Sequence, residues 1–295
     1  MDLNVKPGKY VVAVSGGVDS MVLLDLLRQD PKLELVVAHF DHGIRPDSAQ
    51  DRKLVQRIAK AYALPFVYAQ GNLGSNASEA LAREARYSFL NKVKEEQGAR
   101  AIMTAHHQDD MLETAILNLL RGTGRKGLSS LKSREGLVRP LLDWTKEQIR
   151  EYADENDLVW SEDITNEDER YFRNYIRGNI LSRFTKKGRE ALLRHIKQAG
   201  RVNEEIDKLL NKDLDEQPAK NELNRGWYLQ LPYTVAAEMM AAWLRRNGVM
   251  QFDRHMIERL VVAAKTARPG KLADVNSRHI IEFTKDSIKL ISRKN

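Results

Sequence analysis

The chemistry-bearing residues of this 295-residue chain fall into three short clusters, and Ser15-Gly16-Gly17-Val18-Asp19-Ser20 is the most specific. Two adjacent glycines let a backbone turn tightly and bring its N–H groups close to phosphate oxygens. A helix starting just after them adds free N–H donors and a positive dipole. The Ser15 and Ser20 hydroxyls can donate to the same anion. Asp19 would repel a bare phosphate, so its presence points to Mg2+ bridging phosphate groups. A plain strand-to-helix turn needs one glycine and one capping side chain. It does not account for two glycines, two serines and an acid together. Gly-Lys-Ser/Thr, the mark of the kinase-type loop, does not occur.

The second cluster is Ala38-His39-Phe40-Asp41-His42-Gly43-Ile44-Arg45. It ends an apolar run, which puts His42 and Arg45 at a strand end beside the first loop, lining a nucleotide pocket. Arg83 and Arg86, in AREARYSFL, are three apart and share a helix face. Their guanidinium groups suit bidentate phosphate contact; by pattern alone, salt bridges to Glu79 and Glu84 serve as well. The third cluster runs through residues 104–114, with His106, Asp109, Asp110 and Glu113 spaced i, i+3, i+4 and i+7 on one helical face. Acids in a first helical turn are stabilising in themselves. Glu113, followed by Ala115, Ile116 and Leu117, needs a further reason. Such carboxylates could hold Mg2+ or a cationic amine, whereas zinc would want a third clear His or Cys ligand.

Positioning these clusters requires strand ends that converge. Strand-like runs at 10–14, 33–40, 65–69 and 100–104 alternate with helical runs at 20–28, 48–63, 76–97 and 108–120. That alternation predicts βαβ units and a buried parallel sheet, with ligands at the carboxyl ends of its strands. After a Gly- and base-rich loop at 121–126, the sequence predicts an extended segment at 139–141 and a helix at 145–156 capped by Thr145. A polar stretch at 163–177 precedes a helix at 181–210. Residues 211–226 are polar, contain Pro218 and read as a linker. Helices at 234–247 and 253–266 and strands at 278–283 and 287–291 predict a small α+β module. The expected organisation is a catalytic α/β domain with a helical extension (1–210), a linker (211–226) and a basic C-terminal domain (227–295).

Composition narrows the function. With 42% hydrophobic and 30% charged residues the chain is globular. No apolar run reaches the ~18 residues of a membrane span, and the N-terminus lacks a secretory pattern, so a cytoplasmic protein with no membrane partner is expected. There are no cysteines, which excludes disulfides, thiolate-held iron–sulfur clusters and persulfide carriers. The net charge is +7, and residues 216–295 hold 14 Lys and Arg against 8 Asp and Glu. A basic module on a near-neutral body fits an anionic polymer or simple solubility. The sequence is compatible with a monomer and with a homodimer.

Ser15–Ser20 resembles the SGGxDS loop of the PP-loop ATP pyrophosphatases, of Rossmann-like, adenine nucleotide alpha hydrolase-like fold. The resemblance implies that the loop grips pyrophosphate and that ATP is split to AMP, hence adenylation and not phosphorylation. Together with HFDHGIR, AREARY and AHHQDDMLETAILNLLRGTGRKGL, then RPLL, EDITN and YFRNYIR, the order and spacing are similar to tRNA(Ile)-lysidine synthetases. The likeness covers residues 1–210 well; the C-terminal part matches in outline the family's compact members, without the second C-terminal domain of the longer ones. The resemblance implies that the C2 carbonyl of the wobble cytidine in a CAU anticodon attacks the α-phosphate of ATP. The ε-amine of free lysine then displaces AMP. It implies ATP contacts from Ser15, Gly16, Gly17, Val18, Asp19, Ser20, His42, Arg83 and Arg86, with Mg2+ on Asp19. Asp110 would bind the lysine ammonium and Glu113 accept its proton. Arg173 and Arg177 would contact the transferring phosphate or the tRNA backbone, or form a basic helix face packed on the linker. Arg121, Arg125 and Lys126 would guide the anticodon-loop phosphates, and the basic C-terminal module, with Arg245 and Arg246, would hold the tRNA stem.

Rival readings have identifiable failings. A tRNA thiolation enzyme needs cysteine, and none is present. A GMP, NAD or asparagine synthetase shares the loop but not RGTGRKG or the D-x-T-N and RNxxR stretch. A non-catalytic RNA-binding module has no use for Asp19, Asp110 and Glu113 together.

Overall fold

The structure, a computed structural model, describes residues 3–43, 48–71, 74, 78–162 and 172–293. The expectations for Arg45 and for the Asp163-Ile164-Thr165-Asn166 motif lie outside these residues, as does the Glu79 side chain. The described chain forms two compact units, Met1–Lys197 and Gln198–Asn295. Among the described residues no helix is long and apolar enough to cross a membrane.

The first unit is built on β1 (Gly8–Ala13), β2 (Leu33–Asp41), β3 (Phe66–Gln70), β4 (Ala101–Met103) and β5 (Leu137–Val138), all parallel, in the order β3-β2-β1-β4-β5. Side chains alternate across a strand. Tyr10 and Val12 accordingly join one core with residues of α1 (Val18–Arg28) and α2 (Ser48–Ala61), while Val11 joins another with Leu90 and Val93 of α3 (Glu79–Glu96). Burial on both faces is why these strands read as continuous apolar runs. The sequence anticipated four of the five strands. It missed β5, which has two residues and no periodicity to read.

The chain lays β2 and β3 on one side of β1 and then crosses to place β4 and β5 on the other. Such a reversal leaves a crevice at the carboxyl ends of the central strands. The Ser15–Ser20 loop leaves β1 there, and residues 104–107 leave β4 there and lead into α4 (Gln108–Leu120). Next to the crevice lies α5 (Lys146–Glu155), whose capping residue Thr145 accepts from Gln148 N as expected.

A further core joins Met111, Leu112 and Ala115 of α4 to Ile176, Leu181, Leu193 and Ile196. The helix expected at 181–210 starts differently. A short α6 (Phe172–Tyr175) leads into a π-helical turn, Ile176–Ile180, and a tight turn, Leu181–Arg183, before α7 (Lys186–Asp215). Thr185 sets the new start, its hydroxyl accepting from Gly188 N at 3.1 Å.

The second unit packs α8 (Arg225–Gln230), α9 (Tyr233–Arg246) and α10 (Arg254–Thr266) with an antiparallel sheet. Its strands are β6 (Glu222–Asn224), β7 (Lys271–Asp274), β8 (His279–Phe283) and β9 (Ser287–Ser292), in the order β6-β9-β8-β7. Trp243, Tyr228 and Phe283 are fully buried at its centre. Residues 211–226, read as a linker, instead carry the end of α7 and all of β6. Leu214 and Leu223 enter the core and pull the chain into regular structure. Trp243 Nε1 and Asn247 Nδ2 hold the Lys220 carbonyl at 3.0 and 2.9 Å.

Candidate active site

The loop after β1 has the backbone shape its glycines permit. Gly16 has φ of 102°, where a side chain is strained, and a Cβ there would meet Asp51 Cβ at 3.5 Å. Ser20 is buried, and its hydroxyl takes the N–H groups of Ser15 and Gly16, both at 3.2 Å, while donating to Gly17 O at 2.8 Å. Expected to donate to phosphate, Ser20 is committed inside the loop and shapes it. Ser15 is exposed, and Gly17 caps α1 with no side-chain partner, leaving that helix start to an anion. Behind the loop, buried His39 fixes Val14 O through Nδ1 at 2.9 Å. Burial pushes the His39 ring down, so it stays neutral.

Asp19 faces across the crevice. Its Oδ1 accepts from Lys146 Nζ at 2.5 Å, and its Oδ2 lies 3.8 Å from His107 Nε2. His107 caps α4: its Nδ1 accepts from Asp109 N at 3.3 Å, which puts the proton of the neutral ring on Nε2. That Nε2 is also 3.6 Å from Asp110 Oδ2, and Asp110 accepts from His107 N at 2.9 Å. The loop after β1 and the carboxylates after β4 therefore meet at one imidazole. Among the described residues no group of three or more His, Cys, Asp or Glu could enclose a metal. Mg2+ ordinarily takes one or two carboxylates and completes its shell with substrate phosphates and water. Asp19, already balanced by an ammonium, fits that use.

Four groups predicted on one helical face are sorted differently by the structure. The helix begins at Gln108, so His106 precedes it. Asp109 turns to Arg189 of α7 at 3.2 Å, out of the crevice. Asp110 and Glu113 are the pair that turns in. Burial by itself would push the Asp110 carboxyl up, but His107, His106, the His107 N–H and then Arg173 outweigh it and hold it below the usual carboxylate range. His106 is pushed down to about 3, chiefly by burial and further by Arg139, Arg86 and Arg83, so its ring is neutral at physiological pH. Glu113 is fully buried. Arg177 grips it through two bonds, Nε to Oε1 at 2.7 Å and Nη2 to Oε2 at 3.2 Å, and Arg173 Nε lies 3.8 Å away. Burial raises its pKa even against Arg177. Both oxygens of the residue expected to accept a proton are thus taken by Arg177, and the basic helix face is turned inward on α4.

The remaining cations form a wall. Arg83 and Arg86 flank the Tyr87 ring at 4.8 and 5.5 Å. With buried Arg139 they form the positive surroundings that hold down His106. His42 is kept neutral by burial and by Arg86, and its buried Nδ1 has no partner among the described residues. The 121–127 loop is pinned by Asn118, whose amide donates to Gly127 O at 2.9 Å and Ser130 Oγ at 2.8 Å. This leaves Arg121 exposed and Arg125 and Lys126 partly covered. Arg246 is tied to Asp215 at 2.5 Å, and Arg245 stacks on Phe252 at 4.9 Å. Lys146, His107, Arg139 and Arg189 were not picked out by sequence reasoning. RPLL was noted, and its first residue is Arg139, but nothing local distinguishes Lys146, which is 127 residues from its partner.

A phosphate-shaped loop, an acid suited to a phosphate-bound cation and this topology agree with what comparison finds. The model of the PP-loop domain family matches residues 2–184. The chain belongs to this family. Among curated proteins it is 45% identical over 174 residues to a tRNA(Ile)-lysidine synthase of Thermus thermophilus, covering 57% of this chain and 34% of that protein. To the tRNA(Ile)-lysidine synthase of Thermotoga maritima it is 40% identical over 188 residues (60% and 45% covered). To that of Coxiella burnetii it is 30% identical, covering 95% of this chain and 65% of the relative. The chain thus spans less than two thirds of the length of each of these relatives. A solved U34-tRNA thiolase from Methanococcus maripaludis shares the fold, with a TM-score of 0.52 at 17% identity, covering 66% of this chain and 73% of that one. That protein holds a [4Fe-4S] cluster; the present chain has no cysteine.

Proposed function

We propose that this chain is a tRNA(Ile)-lysidine synthase, using ATP and free lysine to modify the wobble cytidine of a CAU anticodon. One observation carries the proposal. The phosphate-loop acid Asp19 and the inward carboxylate Asp110 lie 3.8 and 3.6 Å from the same His107 nitrogen, which supports a nucleotide and an amine meeting in one crevice. The similarity to proteins of that name supports the same reading.

The chemistry has two displacements. The C2 carbonyl oxygen of cytidine attacks the α-phosphorus and pyrophosphate leaves; the lysine ε-amine then attacks C2 and AMP leaves. In the first step the open start of α1 and the 15–17 loop hold the pyrophosphate, and Asp19 would hold Mg2+, which supplies charge neutralisation on the phosphates when bound. Lys146 moves from Asp19 to a phosphate oxygen as the nucleotide enters. A neutral carbonyl is a weak nucleophile, so placement matters most, and Arg83, Arg86 and Arg139 provide the fixed cationic wall. Ionised Asp110 holds the lysine ammonium. When Arg177 leaves Glu113 for the transferring phosphate, it uncovers a carboxylate whose pKa burial has already raised, suited to take the amine proton. Arg121, Arg125 and Lys126 guide anticodon-loop phosphates, a salt-sensitive contact.

The test is incorporation of radiolabelled lysine into an unmodified tRNA(Ile) transcript with a CAU anticodon, in Mg·ATP. Label that requires ATP, the wobble cytidine and Asp19 is the expected result. AMP and pyrophosphate released with no label would transfer the reading to another nucleophile; no ATP turnover with any RNA would end it.

A further inference from the structure

On the segment that delivers Arg173 and Arg177 to Glu113, the side chains on the other side point to solvent. Phe172 and Tyr175 are 49% and 45% exposed, large fractions for aromatic residues on a helical turn packed against a core. Their rings lie 6.1 Å apart and only 7° from parallel. Positions i and i+3 of a helix share a face, and Arg173 and Arg177 fall on the far side of it. One short element thus reaches Glu113 with Arg173 and Arg177 on one side and presents two flat parallel rings to solvent on the other. C-terminal to the rings the chain is basic: from Ile176 to Lys187 it has Arg177, Arg183, Lys186 and Lys187 and no Asp or Glu, whereas Glu167, Asp168 and Glu169 precede Phe172 in the sequence. Phe184, 38% exposed, adds a third ring to the same stretch.

Exposed rings within a cationic stretch are what single-stranded nucleic acid requires, since every base has a face to stack and every phosphate a charge to meet. A protein partner would be met as readily by aliphatic side chains and gains nothing from the run of Arg183, Lys186 and Lys187 beside the rings. We propose that Phe172 and Tyr175 form a stacking platform for an unpaired base of the RNA substrate, next in the strand to the base that enters the crevice. This rests on the lysidine reading, which puts a single-stranded loop at the site. It adds a coupling: a base seated on the rings bears on the same turn that holds Arg177, so RNA docking and release of Glu113 act on one element.

The test uses the full chain and a CAU anticodon stem-loop RNA, with affinity measured across a salt series. Replacing both rings by leucine keeps apolar bulk and removes the flat faces. The paired variant Phe172→Leu with Tyr175→Leu is expected to bind the stem-loop about tenfold more weakly or worse, with the slope of log K against log salt and the affinity for ATP unchanged. Tyr175→Trp should retain binding and show tryptophan quenching by the RNA. Unchanged RNA affinity in the leucine pair would overturn the proposal, as would a loss accompanied by equal loss of ATP affinity, which marks a structural role. A changed oligomeric state of the RNA-free leucine pair, with RNA binding intact, would assign the rings to a protein contact instead. If the unaltered chain binds no stem-loop, the lysidine reading itself falls and the platform with it; if it binds and transfers lysine while the leucine pair matches it, only the platform falls.

Discussion

In the unit Met1–Lys197, fully buried Glu113 is held by the side chain of Arg177, whereas in Gln198–Asn295 buried Arg225 donates to three backbone carbonyls, Ala264 at 3.2 Å, Thr284 at 2.6 Å and Ala267 at 2.5 Å. The difference lies in what can exchange. A side-chain pair beside a crevice can part when a phosphate offers Arg177 a better partner, while Arg225 fills three backbone carbonyls of its own unit and is fixed. The same contrast holds for half-buried cations. Lys146 pairs with an acid that a bridging cation would claim, but Arg246 is tied to Asp215 and Arg245 lies on Phe252. A charged side chain is a functional candidate when its partner is replaceable by a ligand, not merely when it is basic and near the surface.

Substitutions at exchangeable and at fixed partners should act differently. Asp19→Ala should lower ATP-dependent turnover roughly a hundred- to a thousandfold, the usual cost of removing one charge-stabilising group from a transition state, while the melting temperature stays unchanged in a calorimetric scan. Arg225→Ala should do the reverse, removing about 3 kcal/mol of stability by orphaning buried carbonyls, with the affinity of ATP for the surviving folded protein unaltered. Equal effects of the two on turnover would erase the distinction between the units.

Asp25 in α1 offers a pH test of a fixed network inside the first unit. Burial pushes its carboxyl up, but hydrogen bonds from Tyr152 at 2.8 Å, Arg28 at 2.8 Å and Tyr62 at 3.0 Å outweigh it and lower the pKa. A lowered folded-state pKa gives stability that is present above the unfolded pKa and lost as pH falls through the folded one. Asp25→Asn should therefore cost about 1–2 kcal/mol at neutral pH, and its melting curve should converge on that of the unaltered chain on acidification below the ordinary carboxylate range. A gap independent of pH would show that the carboxylate charge is not what the tyrosines hold. The smallest effect is expected from Arg246→Ala, whose surface pair with Asp215 is worth under about 1 kcal/mol. If Arg246→Ala instead weakens tRNA binding strongly, the tied arginine does exchange partners, and the comparison fails at that residue.

The sequence was most legible where function is local. The Ser15–Ser20 loop works through its own backbone, so its glycines, hydroxyls and acid announce it, and apolar runs buried on two faces announced four strands of the sheet. Lys146 was not legible because its meaning comes from Asp19, brought to it by the β1–α5 topology. The choice between Asp109 and Asp110 was equally closed, because it depends on Arg189 of α7 drawing one of them away. Residues 211–226 were misread because β6 has only three residues and one buried side chain, Leu223, too few to show a period. Ser20 shows the opposite limit: a loop motif shows which hydroxyls are present but not which of them also bond within the loop.

In the proposed function the crevice has a nucleotide half at Asp19 and an amine half at Asp110. The most direct measurement follows ATP labelled at the α-phosphate onto a CAU tRNA(Ile) transcript, with and without lysine, in the unaltered chain, Asp19→Ala and Asp110→Asn. Asp110→Asn should still transfer labelled AMP to the RNA and then retain it when lysine is added, while Asp19→Ala transfers none. Loss of RNA labelling in Asp110→Asn as complete as in Asp19→Ala, or lysine discharging its label as fast as in the unaltered chain, would contradict the division.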